Sequence, residues 1–238
     1  MTNKYMYFVA NWKMFGDLKS LKSLNKVIKF SKSEKINKGR LIYCPPYTLI
    51  GSFLEKFKNC QIDIGGQNCH ESQNFGPYTG YINSRMLKNI GANYVIIGHS
   101  ENRKNGEDNK IINEKIKSAI NAKLKVIFCI GETLSEKRKK KTKFVLSKQI
   151  EFGLKKIEKK SNIFIAYEPV WAIGTGVIPK IEDLFKTVDF IKSKFKNKTP
   201  KVLYGGSVNP QNIKYLKEIN NIDGFLIGGA SQDPKKFI

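Results

Sequence analysis

Eight short apolar runs, separated by stretches of helical periodicity, constrain the fold of this chain more than any other feature of its sequence. The runs predict strands at Tyr5–Ala10, Leu41–Tyr43, Ile62–Ile64, Tyr94–Ile97, Val126–Ile130, Ile163–Tyr167, Val202–Tyr204 and Gly224–Ile227. Strands that alternate with helices form right-handed crossovers and therefore a parallel sheet. Eight such units in 238 residues fit a closed (β/α)8 barrel of the α/β class better than an open sheet.

The helical stretches lie between these strands. They predict helices at Leu18–Phe30, Asp108–Ala122, Ser135–Lys159, Ile181–Phe195 and Pro210–Glu218. No linker or low-complexity segment interrupts the pattern, so we expect residues 1–238 to form a single (β/α)8 barrel domain. The sequence after the last strand leaves room for about one turn of helix. We therefore expect the eighth helix to be short or truncated.

Composition indicates a globular protein, since 40% of the residues are hydrophobic and 26% are charged. No apolar run approaches the roughly 18 residues that a membrane span needs. The amino terminus leads directly into the first strand without a signal-peptide apolar region. The four cysteines (Cys44, Cys60, Cys69 and Cys129) show no paired-motif spacing, which favours a reduced cytoplasm.

The net charge of +23 is the one unusual feature of the composition. Only four arginines contribute, so the excess is nearly all lysine, whereas base and phosphate recognition favour arginine. The lysines are also spread along the chain, and only Lys137–Lys141 forms a dense block, which we expect at an exposed helix start. These details argue against a nucleic-acid or membrane partner.

Polar residues and glycines gather where the predicted strands end. They are Asn11 and Lys13 after the first strand, Gln67 and Asn68 after the third, His99 after the fourth, Glu132 after the fifth, Glu168 after the sixth, Gly205-Gly206-Ser207 after the seventh and Gly228-Gly229 after the eighth. In a barrel these ends meet at the carboxyl-terminal face, where active sites lie. Their convergence predicts one site.

The segment Ala166–Gly176 has the pattern of a catalytic base under a closing loop. It places one carboxylate, Glu168, at the end of a strand that Pro169 terminates. Gly174 and Gly176 follow, and either can adopt positive φ and bring bare backbone close to a ligand. A plain strand-to-helix turn seldom needs this combination.

Two glycine-rich turns, after the seventh and eighth strands, indicate a phosphate site. Glycines let backbone N–H groups surround an anion, and barrels often bind phosphate at this position. Because the chain contains neither a P-loop nor a strand-linked G-x-G-x-x-G, we expect a small phosphate ester rather than a nucleotide.

The remaining chemical candidates are two histidines and one lysine. His99 at a strand end is an acid/base candidate, whereas His70 has no evident partners and is interpreted as a surface residue. Two histidines make a multi-histidine metal site improbable. Lys13 is a candidate source of fixed positive charge.

These motifs together resemble the triosephosphate isomerase family along nearly the whole chain. The matching segments are Asn11-Trp12-Lys13, Gly98-His99-Ser100-Glu101, Ala166–Gly176, Tyr204-Gly205-Gly206-Ser207-Val208 and Gly228-Gly229-Ala230-Ser231. The resemblance implies interconversion of dihydroxyacetone phosphate and D-glyceraldehyde 3-phosphate, in glycolysis and gluconeogenesis, without metal or organic cofactor.

The resemblance also implies a role for each matched residue. Glu168 moves a proton between two carbons, neutral His99 polarises the substrate oxygens, and Lys13 and Asn11 stabilise negative charge. Gly174, Ser207, Gly228 and Gly229 hold the phosphate, with Glu101 and Tyr204 in support. Ser100 and Glu101 can open a helical turn that disfavours positive charge on His99 in the free protein.

The resemblance further implies a homodimer. The loop Cys69–Tyr78 ends in aromatic side chains and is expected to insert into an identical subunit, with Thr79 near the partner's active site. Tyr81 and Asn102 replace a charged pair that usually bridges the subunits, and the loop at Lys104-Asn105 is about one residue short. Pro179 has no N–H, so a lid latch from Tyr204 cannot form.

Two other functions remain open from the residues alone. One is a different enzyme on phosphate esters, since this fold carries many chemistries. The other is a basic scaffold that binds nucleic acid or acidic lipids, which salt-dependent retention on DNA would reveal.

Overall fold

Eight parallel strands form a closed barrel in the computed structural model, which describes residues 5–33, 36, 38–158, 160–196 and 199–238. The strands are β1 Met6–Asn11, β2 Gly39–Cys44, β3 Ile62–Gly66, β4 Tyr94–Ile97, β5 Lys125–Ile130, β6 Ile163–Tyr167, β7 Lys201–Tyr204 and β8 Gly224–Ile227. Each strand pairs with the next along the chain, and β8 pairs with β1. The predicted barrel is confirmed.

The helices lie outside the barrel between the strands. They are α1 Asn25–Ser31, α2 Ile50–Lys56, α3 Ser84–Ile90, α4 Ser100–Lys104, α5 Asn109–Asn121, α6 Leu134–Arg138, α7 Thr142–Gly153, α8 Ile181–Ser193, α9 Ile213–Leu216 and α10 Pro234–Phe237. Short 3-10 helices occur at Leu18–Lys22, Tyr47–Leu49, Lys160–Asn162, Val170–Ala172 and Gly229–Gln232.

Three predicted helices were wrong in their extent. The prediction for Leu18–Phe30 covers a 3-10 helix followed by α1, and that for Pro210–Glu218 shrinks to α9. The prediction for Ser135–Lys159 covers two helices, and its end at Lys159 lies outside the described residues. A capping box between Thr133 and Glu136 begins α6, and Lys140 at φ 55° ends it. The lysine block therefore spans the end of α6 and the following turn, and only its last residue, Lys141, lies at a helix start, as the N-cap of α7.

Alternation along the strands divides the core into two layers, because successive side chains point to opposite faces. One buried cluster fills the barrel interior and includes Val9, Ile42, Ile96, Ile127 and Leu226. The larger cluster packs between the strands and the helices. This interior packing closes the barrel and leaves its carboxyl-terminal rim available for a site.

The last helix is short, as predicted, with four residues in α10. Phe237 anchors it by packing against Tyr43, with the ring centroids 5.3 Å apart. A largely apolar groove of about 420 Å³ lies beside α10, where Met6, Leu41 and Ile227 line it.

All four cysteines are free thiols, and the described residues contain no cluster of side chains that could hold a metal ion. Among those residues no helix is long and apolar enough to cross a membrane.

Candidate active site

A cleft of about 470 Å³ opens at the carboxyl-terminal ends of the strands. It brings together eight residues that the sequence places in one site: Asn11, Lys13, His99, Glu168, Gly174, Ser207, Gly228 and Gly229. Glu101 and Tyr204 lie outside the lining. Thr79 is exposed on the loop after β3 and does not line this cleft.

Glu168 and His99 form a buried pair at the centre of the cleft. His99 Nε2 lies 3.1 Å from Glu168 Oε1, and the two side chains are 6% and 4% exposed. The Ser100 N–H donates a long hydrogen bond of 3.4 Å to Glu168 Oε2. The Glu168 carboxylate is therefore buried and held in a fixed position beside the His99 ring.

The glycine after β7 is needed to seat this carboxylate. A Cβ atom on Gly205 would lie 2.8 Å from the Glu168 Cγ atom, closer than real Cβ contacts allow. The first glycine of the turn therefore leaves the space that the Glu168 side chain occupies.

His99 is the N-cap of α4, and the Glu101 N–H donates to its Nδ1 at 3.3 Å. The helical turn predicted after His99 is confirmed. With Nδ1 as acceptor, the ring proton belongs on Nε2, which faces Glu168 and the cleft. A proton on Nε2 is available for donation to a substrate oxygen.

Opposing influences act on the protonation of His99. Burial is the largest and lowers the pKa of His99, but the charges of Glu168 and Glu101 raise it and prevail in this geometry. The neutral ring in the free protein stays a prediction, and the buried Glu168 carboxylate at 3.1 Å is the group that opposes it. Once Glu168 takes up a proton, its charge no longer supports an imidazolium.

Lys13 is fixed in the cleft by both its backbone and its side chain. Its φ of 54° is rare for a residue with a Cβ, and the Gln67 side chain holds its carbonyl at 2.7 Å. Its Nζ lies 2.5 Å from Glu101 Oε1. Partial burial raises the pKa of Glu101, but the Lys13 hydrogen bond and the charge of His99 outweigh burial and lower it.

A loop, here called the lid (residues 169–179), borders the cleft next to the glycine turn after β7. Gly174 and Gly176 have φ of 69° and 76°, as the sequence predicts. The Gly176 N–H donates to Ser207 Oγ at 3.1 Å, and that hydroxyl donates to the Ala172 carbonyl at 2.6 Å. Ser207 thus joins the lid to the glycine turn after β7.

Glu132 holds the near end of the lid and does not line the cleft. Trp171 Nε1 donates to Glu132 at 2.9 Å, and the Tyr167 hydroxyl lies 3.2 Å from both carboxylate oxygens. Burial raises the pKa of Glu132, although these hydrogen bonds lower it in part. Lys137 Nζ lies over the Trp171 ring at 3.2 Å from its centroid, so a cation–π contact also restrains the hinge.

The buried hydroxyl of Tyr204 bears on the predicted absence of a lid latch. The Tyr204 hydroxyl is buried and has no hydrogen-bond partner among the described residues. Pro179, which is also buried, offers no N–H to it.

The interpretation of His70 as a surface residue without partners was wrong. Its side chain is 12% exposed and packs against the rings of Tyr78 and Tyr81, at centroid distances of 4.4 and 4.9 Å. Sequence reasoning also missed Lys236, which lines the cleft. Nothing in the sequence distinguishes it from the other lysines.

A buried acid–base pair facing an anion cradle, at the carboxyl-terminal rim of a barrel, defines a class of protein: enzymes that transfer protons on small phosphate esters. The sequence profile described as triosephosphate isomerase matches residues 6–238. The chain therefore belongs to the triosephosphate isomerase family.

Individual proteins of this family are similar to the chain over nearly its whole length. A triosephosphate isomerase from Thermodesulfovibrio yellowstonii is 42% identical, over 97% of this chain and 96% of that protein. One from Dictyoglomus thermophilum is 41% identical, over 96% and 95%. The 1.6 Å crystal structure of triosephosphate isomerase from Bartonella henselae superposes with a TM-score of 0.88 at 36% identity, and covers 98% of this chain and 96% of that one.

Proposed function

We propose that the cleft carries out its reaction by proton transfer, with Glu168 as the base. As a member of its family, the chain interconverts dihydroxyacetone phosphate and D-glyceraldehyde 3-phosphate, a step of glycolysis and gluconeogenesis. In dihydroxyacetone phosphate, the reaction removes a proton from the hydroxymethyl carbon beside the carbonyl and adds a proton to the former carbonyl carbon through an enediolate. A second proton passes from the hydroxyl oxygen to the former carbonyl oxygen. The buried Glu168–His99 pair, 3.1 Å apart, is the observation that carries the proposal.

His99, Lys13 and Asn11 stabilise the enediolate in this proposal. Glu168 removes the carbon-bound proton, and charge then develops on the adjacent oxygens. His99 Nε2–H donates to these oxygens, while the Lys13 ammonium and the buried Asn11 amide add fixed positive potential. Only proton transfers are involved, so the reaction balances without a metal or organic cofactor.

The backbone N–H groups of Gly174, Ser207, Gly228 and Gly229 hold the substrate phosphate. The lid closes over them, and the Ser207 contacts to the lid are already formed in this structure. Closure removes water from the enediolate, which strengthens every electrostatic contact in the cleft and protects the intermediate from side reactions.

We also propose a cytoplasmic homodimer. Exposed apolar side chains cluster on the loop after β3, where Phe75, Tyr78 and Tyr81 are 61%, 47% and 64% exposed. Met14 and Phe15, after β1, add further exposed apolar surface. Such side chains are costly in water, and a two-fold partner would bury both sets at once.

A paired substitution tests the assignment of the base. Glu168→Gln keeps the shape of the side chain but cannot accept a proton, so the rate of glyceraldehyde 3-phosphate turnover in a coupled assay should fall by ~10²–10⁴-fold. Thermal stability should barely change, because the substitution removes a buried charge and opens no cavity. Glu151→Gln, at an exposed position of α7, is the control and should remain fully active. Turnover near that of the wild type in Glu168→Gln would exclude Glu168 as the base.

A further inference from the structure

We propose that Lys236, on the short last helix, is a substrate-binding residue that contributes positive charge to the phosphate end of the cleft. The inference rests on the proposed function of the site and adds to it a residue outside the matched motifs. Lys236 lines the same cleft as Gly228, Gly229 and Ser207, the groups that offer backbone N–H to the phosphate.

The backbone of Lys236 is held in place by its neighbours. Asp233 caps α10 by accepting from the Lys235 N–H at 2.9 Å, and Pro234 and Phe237 are both buried. Phe237 packs against Tyr43 of β2, which ties this helix to the barrel wall. The side chain of Lys236 therefore extends from a fixed point beside the anion cradle.

The other charges that line the cleft indicate how the Lys236 ammonium could attract a phosphate. Two lysines line the cleft, and Lys13 is already paired with Glu101 at 2.5 Å. Glu168 adds a negative charge to the same lining. Among the described residues no ion pair joins Lys236 to a carboxylate, so none of the described carboxylates offsets its charge. A phosphate dianion entering the cleft is therefore attracted by Lys236 in addition to Lys13 and the backbone N–H groups.

The adjacent residue supplies a matched control. Lys235 is also exposed and borders the apolar groove beside α10, but it does not line the cleft. Lys236 borders both cavities. Lys235→Gln and Lys236→Gln thus remove the same charge from neighbouring positions of one helix and differ in access to the cleft.

Steady-state kinetics at low ionic strength test the proposal. Lys236→Gln should raise KM for glyceraldehyde 3-phosphate by about two- to fivefold, as expected for a partly exposed ion pair, and leave kcat unchanged. The inhibition constant of inorganic phosphate should rise by the same factor. Lys235→Gln should match the wild type, and Lys236→Arg should restore binding. Added salt should remove the difference between the two glutamine variants.

A direct measurement of phosphate binding tests this inference independently of the proposed function. The amide signals of Gly228 and Gly229, followed by NMR during titration with inorganic phosphate, report affinity without any turnover. Weaker phosphate binding in Lys236→Gln than in Lys235→Gln supports the inference even if the wild type does not isomerise triose phosphates. Equal KM and equal phosphate affinity in the two variants would overturn it, whatever the activity of the wild type.

Discussion

Residues at the ends of the strands divide into those that face the cleft and those that hold it in place. Glu168 and His99 face it, whereas Glu132 binds the hinge of the lid and Gln67 fixes the Lys13 carbonyl. The sequence places all four residues at strand ends. It cannot predict which of them face the cleft, because the direction of a side chain in a loop depends on backbone angles such as the positive φ of Lys13.

The pKa of His99 offers a test of the pair at the centre of the site. Glu168→Gln removes the nearer carboxylate and leaves burial, the Glu101 N–H and the charge of Lys13, which disfavour the imidazolium, against the Glu101 carboxylate at 3.6 Å, which favours it. Because burial is the largest of these influences, the pKa of His99 should fall below its wild-type value. NMR titration of the imidazole signals in the two proteins measures the change.

The same pair makes stability depend on pH with a defined sign. A pKa of His99 raised in the folded state gives stability that is complete below the ordinary value of ~6.5 and is lost as pH rises through the folded value. This loss should be absent in Glu168→Gln and present in the control Glu151→Gln. An unchanged pKa of His99 in Glu168→Gln would show that the carboxylate does not control the ring.

The bounds of the strands and helices show which parts of the secondary structure the hydrophobic periodicity of the sequence predicts. Buried strands such as β4 and β6 match their predicted bounds, because a short apolar run between turn residues has one favourable arrangement in a parallel sheet. The division between α6 and α7 was missed. Lysine is a good helix former, and no local signal marks the left-handed conformation of Lys140.

Two buried tyrosines near the lid differ in whether their hydroxyl groups form a hydrogen bond. The Tyr204 hydroxyl has no partner among the described residues, whereas the Tyr167 hydroxyl bonds to Glu132. Tyr204→Phe should therefore leave the free energy of unfolding unchanged or slightly higher, and turnover should persist. Tyr167→Phe should lower that free energy by about 1–3 kcal/mol, since it removes a hydrogen bond to a buried carboxylate.

Urea denaturation of both variants beside the wild type provides the measurement. A Tyr204→Phe variant that is less stable than Tyr167→Phe would show that the Tyr204 hydroxyl has a partner in solution. A large loss of turnover in Tyr204→Phe alone would restore a latch role for that hydroxyl in spite of Pro179.

At the scale of the whole molecule, the exposed apolar side chains on the loop after β3 are the feature that favours a dimer. The loop after β3 cannot bury Phe75, Tyr78 and Tyr81 against its own barrel, which leaves them exposed. In the proposed dimer a two-fold partner would bury each such loop once and support both sites together. Tyr81 and Asn102 would leave that interface without a charged bridge, but packed neutral groups often replace a buried ion pair at little cost. No sequence pattern within one chain reveals the partner's contribution directly, so this part of the site is inferred from exposed apolar surface.

Thr79, exposed at the tip of this loop, is the position from which to break the proposed dimer. Thr79→Arg would bury an unpaired charge in the interface, a change costly enough to favour inactive monomers. Thr199→Arg is the control, because Thr199 is exposed before β7 at the opposite end of the barrel, and this variant should stay dimeric and active. Sedimentation velocity at micromolar concentration, run beside the coupled assay, gives mass and activity for each protein. A fully active wild-type monomer would contradict the proposal, because the site would then be complete within one chain.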